Sequence, residues 1–169
     1  MLDKIEEELQ PFHKLWNMVY DFHISEKEWL LGQFTKLNGM QIENEVTEWW
    51  KSSYRFAKVM EEDFPGAAAV ATNLRANTTE FRSHLPVIQS LANPALKPRH
   101  WDILSDRIGT DIDGADEELT LQKLLDMDVE AHIDTVREVC VAAKKEYDLE
   151  QMMNNMKLEW SVINYEVLP

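Results

Sequence analysis

The first stretch that could do chemistry is the glycine-containing segment 109–116. A phosphate-binding loop needs glycines followed by Lys and Ser or Thr, so that backbone amides and an ammonium meet the anion. Gly109 and Gly114 have the required separation, but Ala115 and Asp116 stand where Lys and Ser are needed. Three aspartates in the same stretch would repel a phosphate. The segment therefore predicts no nucleotide site.

The same acidic segment could attract calcium, because carboxylate oxygens are the ligands that this ion prefers. An EF-hand loop beginning at Asp111 would need glycine at its sixth position and glutamate at its twelfth. Instead, Gly114 is at the fourth position and Gln122 is at the twelfth. The pattern indicates a solvated acidic loop.

Other metal ligands and nucleophiles are scattered. Helical metal sites use Glu-x-x-His on facing helices, and this spacing does not occur in the sequence. Glu80 and His84 form one i,i+4 pair, which is more typical of a surface contact. Cys140 falls on an apolar stripe and is expected to be a small buried residue. We predict no catalytic, cofactor-binding or metal-binding residue in this segment.

Charge excludes several kinds of partner. The 169 residues include 31 Asp and Glu against 17 Lys and Arg, a net charge of −14. Such a chain repels nucleic acid and anionic membrane surfaces, so neither is an expected partner. Residues 99–169 are the more acidic part, with 17 acidic against 7 basic residues. The single cysteine fits a reducing, cytoplasmic location.

Apolar spacing predicts helices almost throughout, and hence an all-α fold. In 1–64 it predicts helical hairpins: a first helix interrupted at Pro11, a second opened by a Ser25–Glu28 capping box, and a third. The first stripe is Leu2, Ile5, Leu9, Phe12, Trp16, Val19 and His23; the third is Ile42, Val46, Trp49, Ser53, Phe56 and Met60. The Asp63–Gly66 breaker cluster should end the third helix.

The remainder continues the helical pattern. Segment 66–109 predicts two helices, the first bent at Pro86 and ended by Asn93–Pro94, the second running from Pro98 to a cap at Gly109. Segment 119–163 predicts a short helix followed by a helix of some 50 Å, from a spacing of about 1.5 Å per residue. Residues 162–168 could form a short strand. The whole, 1–169, is predicted to be a single elongated helical bundle and a fragment of a much larger chain.

Tryptophan is abundant, with six in the chain. Four lie on helix stripes and are predicted to be core: Trp16, Trp49, Trp101 and Trp160. Trp29 and Trp50 are instead candidates for contact with a partner. Three methionines, Met152, Met153 and Met156, are expected to pack in the core.

A resemblance rests on three motifs in order. Residues 93–101, read Asn-Pro-Ala-Leu-Lys-Pro-Arg-His-Trp, resemble the Asn-Pro-x-Leu-(Lys/Arg)-x-Arg-His-Trp segment of dynein heavy chains. The residues that carry the likeness are Asn93, Pro94, Leu96, Arg99, His100 and Trp101, then Thr120, Leu121, Leu124 and Leu125, then Glu146, Tyr147, Leu149 and Trp160. These motif sequences resemble those of axonemal, inner-arm-type heavy chains more than those of cytoplasmic ones.

The resemblance implies the N-terminal part of the linker, between the tail and the AAA+ ring of a ciliary motor. It implies contacts with the rest of the same heavy chain and with other dynein-arm subunits, on the axonemal cytoskeleton. In the family, ATP and Mg bind outside this segment, and so does the microtubule. No catalytic residue is carried over. A structural role is expected for Trp101, and for His100 at least packing or capping.

The residues are also compatible with two other functions. The chain could be a helical scaffold or docking module that binds another subunit of a cytoskeletal complex, with Trp29 and Trp50 as its contacts. It could also be a helical enzyme whose site is assembled from distant residues.

Overall fold

Helices make up nearly all of the regular structure in the computed structural model of the chain. It describes residues 2–114 and 116–162, with side chains described only from residue 9 to residue 161 in those ranges. The helices in these ranges are α1 Leu2–Leu31, α2 Gly39–Met60, α3 Pro65–Leu91, α4 Pro98–Ile108, α5 Leu121–Asp126 and α6 Ile133–Val162. Short 3₁₀ turns, Phe34–Lys36 and Val129–His132, precede α2 and α6. The predicted all-α fold is confirmed.

The strand predicted at 162–168 falls, beyond Val162, outside the described residues. Among the described helices, none combines the length and the apolar composition that a membrane crossing requires.

The hairpin of α2 and α3 forms the centre of the fold. The Asn38 side chain caps α2 by accepting a hydrogen bond from the Gln41 amide at 3.2 Å. Pro65 occupies the first turn of α3, where its missing N–H costs nothing. The predicted stripe of α2 is confirmed, because Ile42, Val46, Ser53 and Met60 are buried, while Trp49 and Phe56 are partly buried.

Helix α1 differs from the prediction in both length and phase. It continues through Pro11 and through the supposed capping box at Ser25. Its buried residues are Leu15, Met18, Phe22 and Trp29, whereas the stripe inferred from the sequence leaves Trp16 56% exposed. Adjacent residues on a helix point about 100° apart, so a second apolar row displaced by one residue carries the packing. Burial of that row on both sides of Ser25 explains why the helix does not stop there.

Trp29 lies inside the core, contrary to its prediction as a partner contact. Its ring centroid lies 5.8 Å from that of Trp49 and 5.2 Å from that of Phe81. Phe22 packs edge-on against Trp49, with centroids 5.6 Å apart. These four rings join α1, α2 and α3, and ring pairs at such distances add stability beyond area burial.

Helix α6 is packed only along its first half. Val136, Val139, Cys140 and Ala143 are buried against α3 and α4. Beyond Glu146 the apolar residues are more than half exposed: Leu149, Met152, Met153, Met156, Leu158 and Trp160. The expectation that Trp160 and the three methionines pack in the core is therefore wrong. Periodicity identifies the apolar side of a helix but not whether a neighbour covers it.

The chain exposes a large surface for its mass. The chain exposes 11753 Å², whereas a compact monomer of 19.8 kDa exposes about 8,600 Å². A helix of 30 residues is about 45 Å long. Both quantities agree with the predicted elongated bundle.

Candidate functional site

The connection between α3 and α4 is a tight turn built on Asn93. Its Oδ1 accepts a hydrogen bond from the Ala95 amide at 3.0 Å, and its carbonyl accepts one from the Leu96 amide at 3.1 Å. Asparagine favours such turns because its short side chain can bond to the backbone two residues on. Pro98 then opens α4 with its preset φ angle. The turn thereby positions the side chains of Lys97, Arg99 and His100 at the start of α4.

His100 links the start of α4 to α6. Its side chain is only 3% exposed, and its Nδ1 accepts a hydrogen bond from the Lys97 amide at 2.9 Å. Because Nδ1 accepts, Nε2 carries the hydrogen and donates it to Glu146 Oε2, 3.1 Å away. The imidazole therefore satisfies an otherwise free amide at the helix N-terminus and bridges two helices.

Two cations complete this contact, which we name the α4–α6 clamp: Lys97, Arg99, His100, Glu146 and Glu150. Arg99 Nη2 donates to Glu146 Oε2, and Lys97 Nζ donates to both carboxylate oxygens of Glu150. Arg99 also lies 3.9 Å from Glu150. The hydrogen bond from Arg99, followed by that from His100, lowers the pKa of Glu146 below its usual value. The contact with Glu146 also raises the pKa of Arg99.

The clamp includes two residues that the sequence reasoning did not single out, Lys97 and Glu150. A signal was available, because Glu146 and Glu150 are four residues apart and thus share one face of α6. The side chains that meet are 46 to 53 residues apart in sequence, and spacing alone does not pair them.

Trp101 follows the clamp residue His100 on α4 and packs against the acidic loop. The indole is 7% exposed and lies directly against the backbone of Gly114 in the acidic loop. A Cβ on Gly114 would stand 2.2 Å from the indole Nε1, so no larger residue fits without displacing the ring. Trp101, Gly114, Pro94, Leu37 and Phe34 line one end of an open cleft of about 550 Å³. Gly114 therefore permits close packing against the Trp101 ring.

Comparison with known proteins identifies the family. The family model "Dynein heavy chain, N-terminal region 2" matches residues 2–169. The chain belongs to the dynein heavy chain family. Human dynein axonemal heavy chain 1 is 33% identical over 168 residues, 99% of this chain and 4% of that protein. Human dynein axonemal heavy chain 3 is 30% identical over 155 residues, 92% of this chain and 4% of that protein.

The resemblance to axonemal dynein heavy chains is thereby confirmed for an N-terminal segment. The mouse dynein axonemal heavy chain 2 is more distant, at 24% identity over 168 residues. The chain spans about 4% of the length of the curated relatives that it matches first.

The remaining motif residues of this dynein segment do not join the clamp. Thr120 caps α5, since its Oγ1 accepts a hydrogen bond from the Lys123 amide at 3.2 Å. Leu121 and Leu124 are fully buried, and Leu125 is partly buried. On α6, the residues beyond Glu146 are exposed: Tyr147, Leu149 and Trp160. Two groups of motif residues therefore stabilise the fold, and the third, apart from Glu146, points to solvent.

The side chains of Cys140 and His84, which could be reactive, make contacts that stabilise the fold. The Cys140 thiol donates a hydrogen bond to the Ser90 carbonyl at 3.1 Å, and burial raises its pKa to about 11, so it is protonated at neutral pH. His84 Nδ1 lies 2.5 Å from Glu130 Oε1 on the turn before α6, so the Glu80–His84 pairing suggested by their spacing gives way to a contact between elements. Within the described ranges, no three acidic, histidine or cysteine side chains converge as metal ligands do.

Trp50 lies on the outer face of the hairpin of α2 and α3. Its indole Nε1 donates a hydrogen bond to Thr79 Oγ1 at 3.1 Å. Its ring is half-buried beneath the guanidinium groups of Arg75 and Arg82. Of the two predicted contact tryptophans, Trp50 is therefore the one near the surface.

Proposed function

We propose that this chain is the N-terminal part of the linker of an axonemal dynein heavy chain. In this role it couples ATP-driven changes in the AAA+ ring to force production and to microtubule-based movement of cilia. The family match over residues 2–169 and the axonemal relatives support the proposal. Its location would be the ciliary axoneme, within the inner dynein arms.

The α4–α6 clamp is the observation that carries the proposal. A part that transmits force needs helices whose relative positions are fixed by contacts distant in sequence. Lys97, Arg99 and His100 on one short turn hold two successive carboxylates on a helix about 45 Å long. Several charges joined in a network hold geometry better than isolated surface pairs do.

The outer half of α6 supplies the connection to the rest of the motor. Its exposed apolar residues Leu149, Met152, Met153, Met156 and Trp160 lie on one face, which no described element covers. The relatives are some twenty-five times longer than this chain, which covers about 4% of them. We infer that later segments of the same heavy chain pack on this face and continue the rigid body.

A motility experiment on the parent heavy chain tests the mechanical role. Glu146→Ala removes the carboxylate shared by Arg99 and His100, so force transmission should weaken while ATP hydrolysis continues. Microtubule gliding velocity and ATPase rate are measured together. Glu138→Ala, which removes a more exposed carboxylate from the same helix, is the matched control. Unchanged gliding by the Glu146→Ala motor would contradict the proposal.

A second measurement tests the absence of an active site in this segment. The isolated 169-residue chain should neither hydrolyse ATP nor bind it in a calorimetric titration, because its acidic loop repels phosphate. Tight ATP binding by the isolated chain would refute its assignment to the linker.

A further inference from the structure

The hairpin of α2 and α3 carries a positive face on an otherwise acidic molecule. Segments 48–58 and 72–82 hold five Lys and Arg against two Glu, whereas the rest of the chain holds 12 basic against 29 acidic residues. We name this surface the hairpin basic face. Its members are Trp50, Lys51, Tyr54, Arg55, Lys58, Arg75 and Arg82. The balance of charge on these two segments is thus the reverse of that of the whole chain.

Aromatic rings hold the cations of this face in place. The Arg75 guanidinium lies 4.5 Å from the Tyr54 ring centroid and 5.3 Å from that of Trp50. The Arg82 guanidinium lies 4.7 Å from the same Trp50 centroid, and Lys58 lies 5.1 Å from Tyr54. A guanidinium held over a ring by this attraction still has N–H groups that can donate to a further ligand.

The two arginines of this face that lie over the Trp50 ring, Arg75 and Arg82, form no ion pair with a described carboxylate. Lys51, at the margin, pairs with Glu48 at 3.7 Å. Among the described side chains, no carboxylate oxygen comes within 4.0 Å of the guanidinium nitrogens of Arg75 or Arg82. In a chain of net charge −14, two ordered arginines without an acidic partner are unexpected.

We propose that the hairpin basic face binds a carboxylate-rich segment of a partner protein. The planar fork of arginine matches a carboxylate with two parallel hydrogen bonds. Because the rings already order Arg75 and Arg82, binding loses less side-chain entropy than at free arginines. The acidic remainder of the chain repels the same partner, which confines contact to this face. The face takes no part in the α4–α6 clamp, so this inference and the linker function can fail independently.

A binding measurement on the 169-residue chain tests the proposal. The probe is a fluorescein-labelled polyglutamate peptide, followed by fluorescence anisotropy at low and at high salt. The double variant Arg75→Gln/Arg82→Gln should bind about tenfold more weakly, as expected for two exposed charged contacts. The matched control is Lys144→Gln/Lys145→Gln, which removes two exposed cations from α6 and should bind the peptide as the unmodified chain does.

Each result of this binding measurement either supports or overturns the proposal. Circular dichroism checks that the variants keep their helices, and the single variant Arg82→Gln replaces the double variant if the latter unfolds. Loss of peptide binding in the arginine variants and not in the lysine control supports the proposal. No binding of polyglutamate, or binding equally weakened in both double variants, overturns it. Tighter, arginine-dependent binding of anionic lipid vesicles or of an RNA oligomer would assign the face to a different class of partner and would also overturn it.

Discussion

At the scale of single residues, Trp101 and Trp160 have opposite surroundings although both follow the helical apolar spacing. Trp101 is 7% exposed, between α4 and the backbone of Gly114, while Trp160 is 64% exposed on the outer half of α6. A large ring contributes to stability only when its surface leaves water on folding. The two residues should therefore differ in what their removal costs.

Replacement of each tryptophan by alanine measures that difference. Trp101→Ala should lower the free energy of unfolding by about 3–5 kcal/mol, because it leaves a cavity under the acidic loop. Trp160→Ala, the control on an exposed site, should change it by less than about 0.5 kcal/mol. Urea unfolding followed by circular dichroism gives both values. A loss below about 1 kcal/mol for Trp101→Ala would place that ring on the surface instead.

Tryptophan also shows what the sequence could predict about single residues. Trp101 was predicted to be core on its spacing in a short helix and is buried. Trp16 was predicted on the same grounds and is exposed, since Leu15 and Met18 form the row that packs. Trp29 was predicted as a contact and lies in the aromatic cluster. In α1, apolar residues occupy more than one row, so spacing alone does not select the row that faces the core.

At the scale of elements, the ends of α4 are visible in the sequence, whereas the helix that it packs against is not. Pro98 and Gly109 bound α4 as expected, and Gly109 has the positive φ of 79° that favours glycine. Such signals act within one turn and are visible in the sequence. The pairing of α4 with α6 joins residues nearly fifty positions apart, and only the fold brings them together. The clamp was therefore outside the reach of sequence reasoning, although most of its residues had been singled out.

The clamp should make stability depend on pH. The pKa of Glu146 is lowered in the folded chain from a usual value of 4.5, so its contribution to stability is present above that pH. As pH falls below 4.5 and through the lowered pKa, the folded carboxylate takes up a proton and the contribution is lost. Urea unfolding of the chain and of Glu146→Gln at several pH values between 3 and 7 tests this. The difference between the two proteins should be largest near pH 7 and should shrink in acid.

Glu138→Gln provides the control for this experiment. Glu138 lies on the same helix and pairs with Arg107, at 3.1 Å, with its side chain 74% exposed. Its replacement should change stability less than that of Glu146 at neutral pH. A difference for Glu146→Gln that stays constant down to pH 3 would mean that the carboxylate contributes through packing and not through charge.

At the scale of the whole molecule, the exposed half of α6 sets the shape. Five helices enclose a core that reaches the first half of α6, and the remainder of that helix extends beyond it. The sequence predicted the length of this helix, because apolar residues recur along all of it. It could not predict the extension, which depends on where the other helices stop. If later heavy-chain segments cover that face, the isolated chain shows a surface that the motor buries.

Small-angle scattering of the isolated chain tests this shape. A compact chain of 169 residues has a radius of gyration of about 15 Å, and a fully unfolded one has about 43 Å. Because the second half of α6, about 24 Å of helix beyond Glu146, protrudes from a folded body, the measured value should lie above the first and far below the second. Light scattering should give the monomer mass of 19.8 kDa at the same concentrations, since pairing through the exposed face of α6 would enlarge the particle. A monomer with a radius of gyration of about 15 Å would mean that α6 folds back on the core, and the strut needed for force transmission would then be missing.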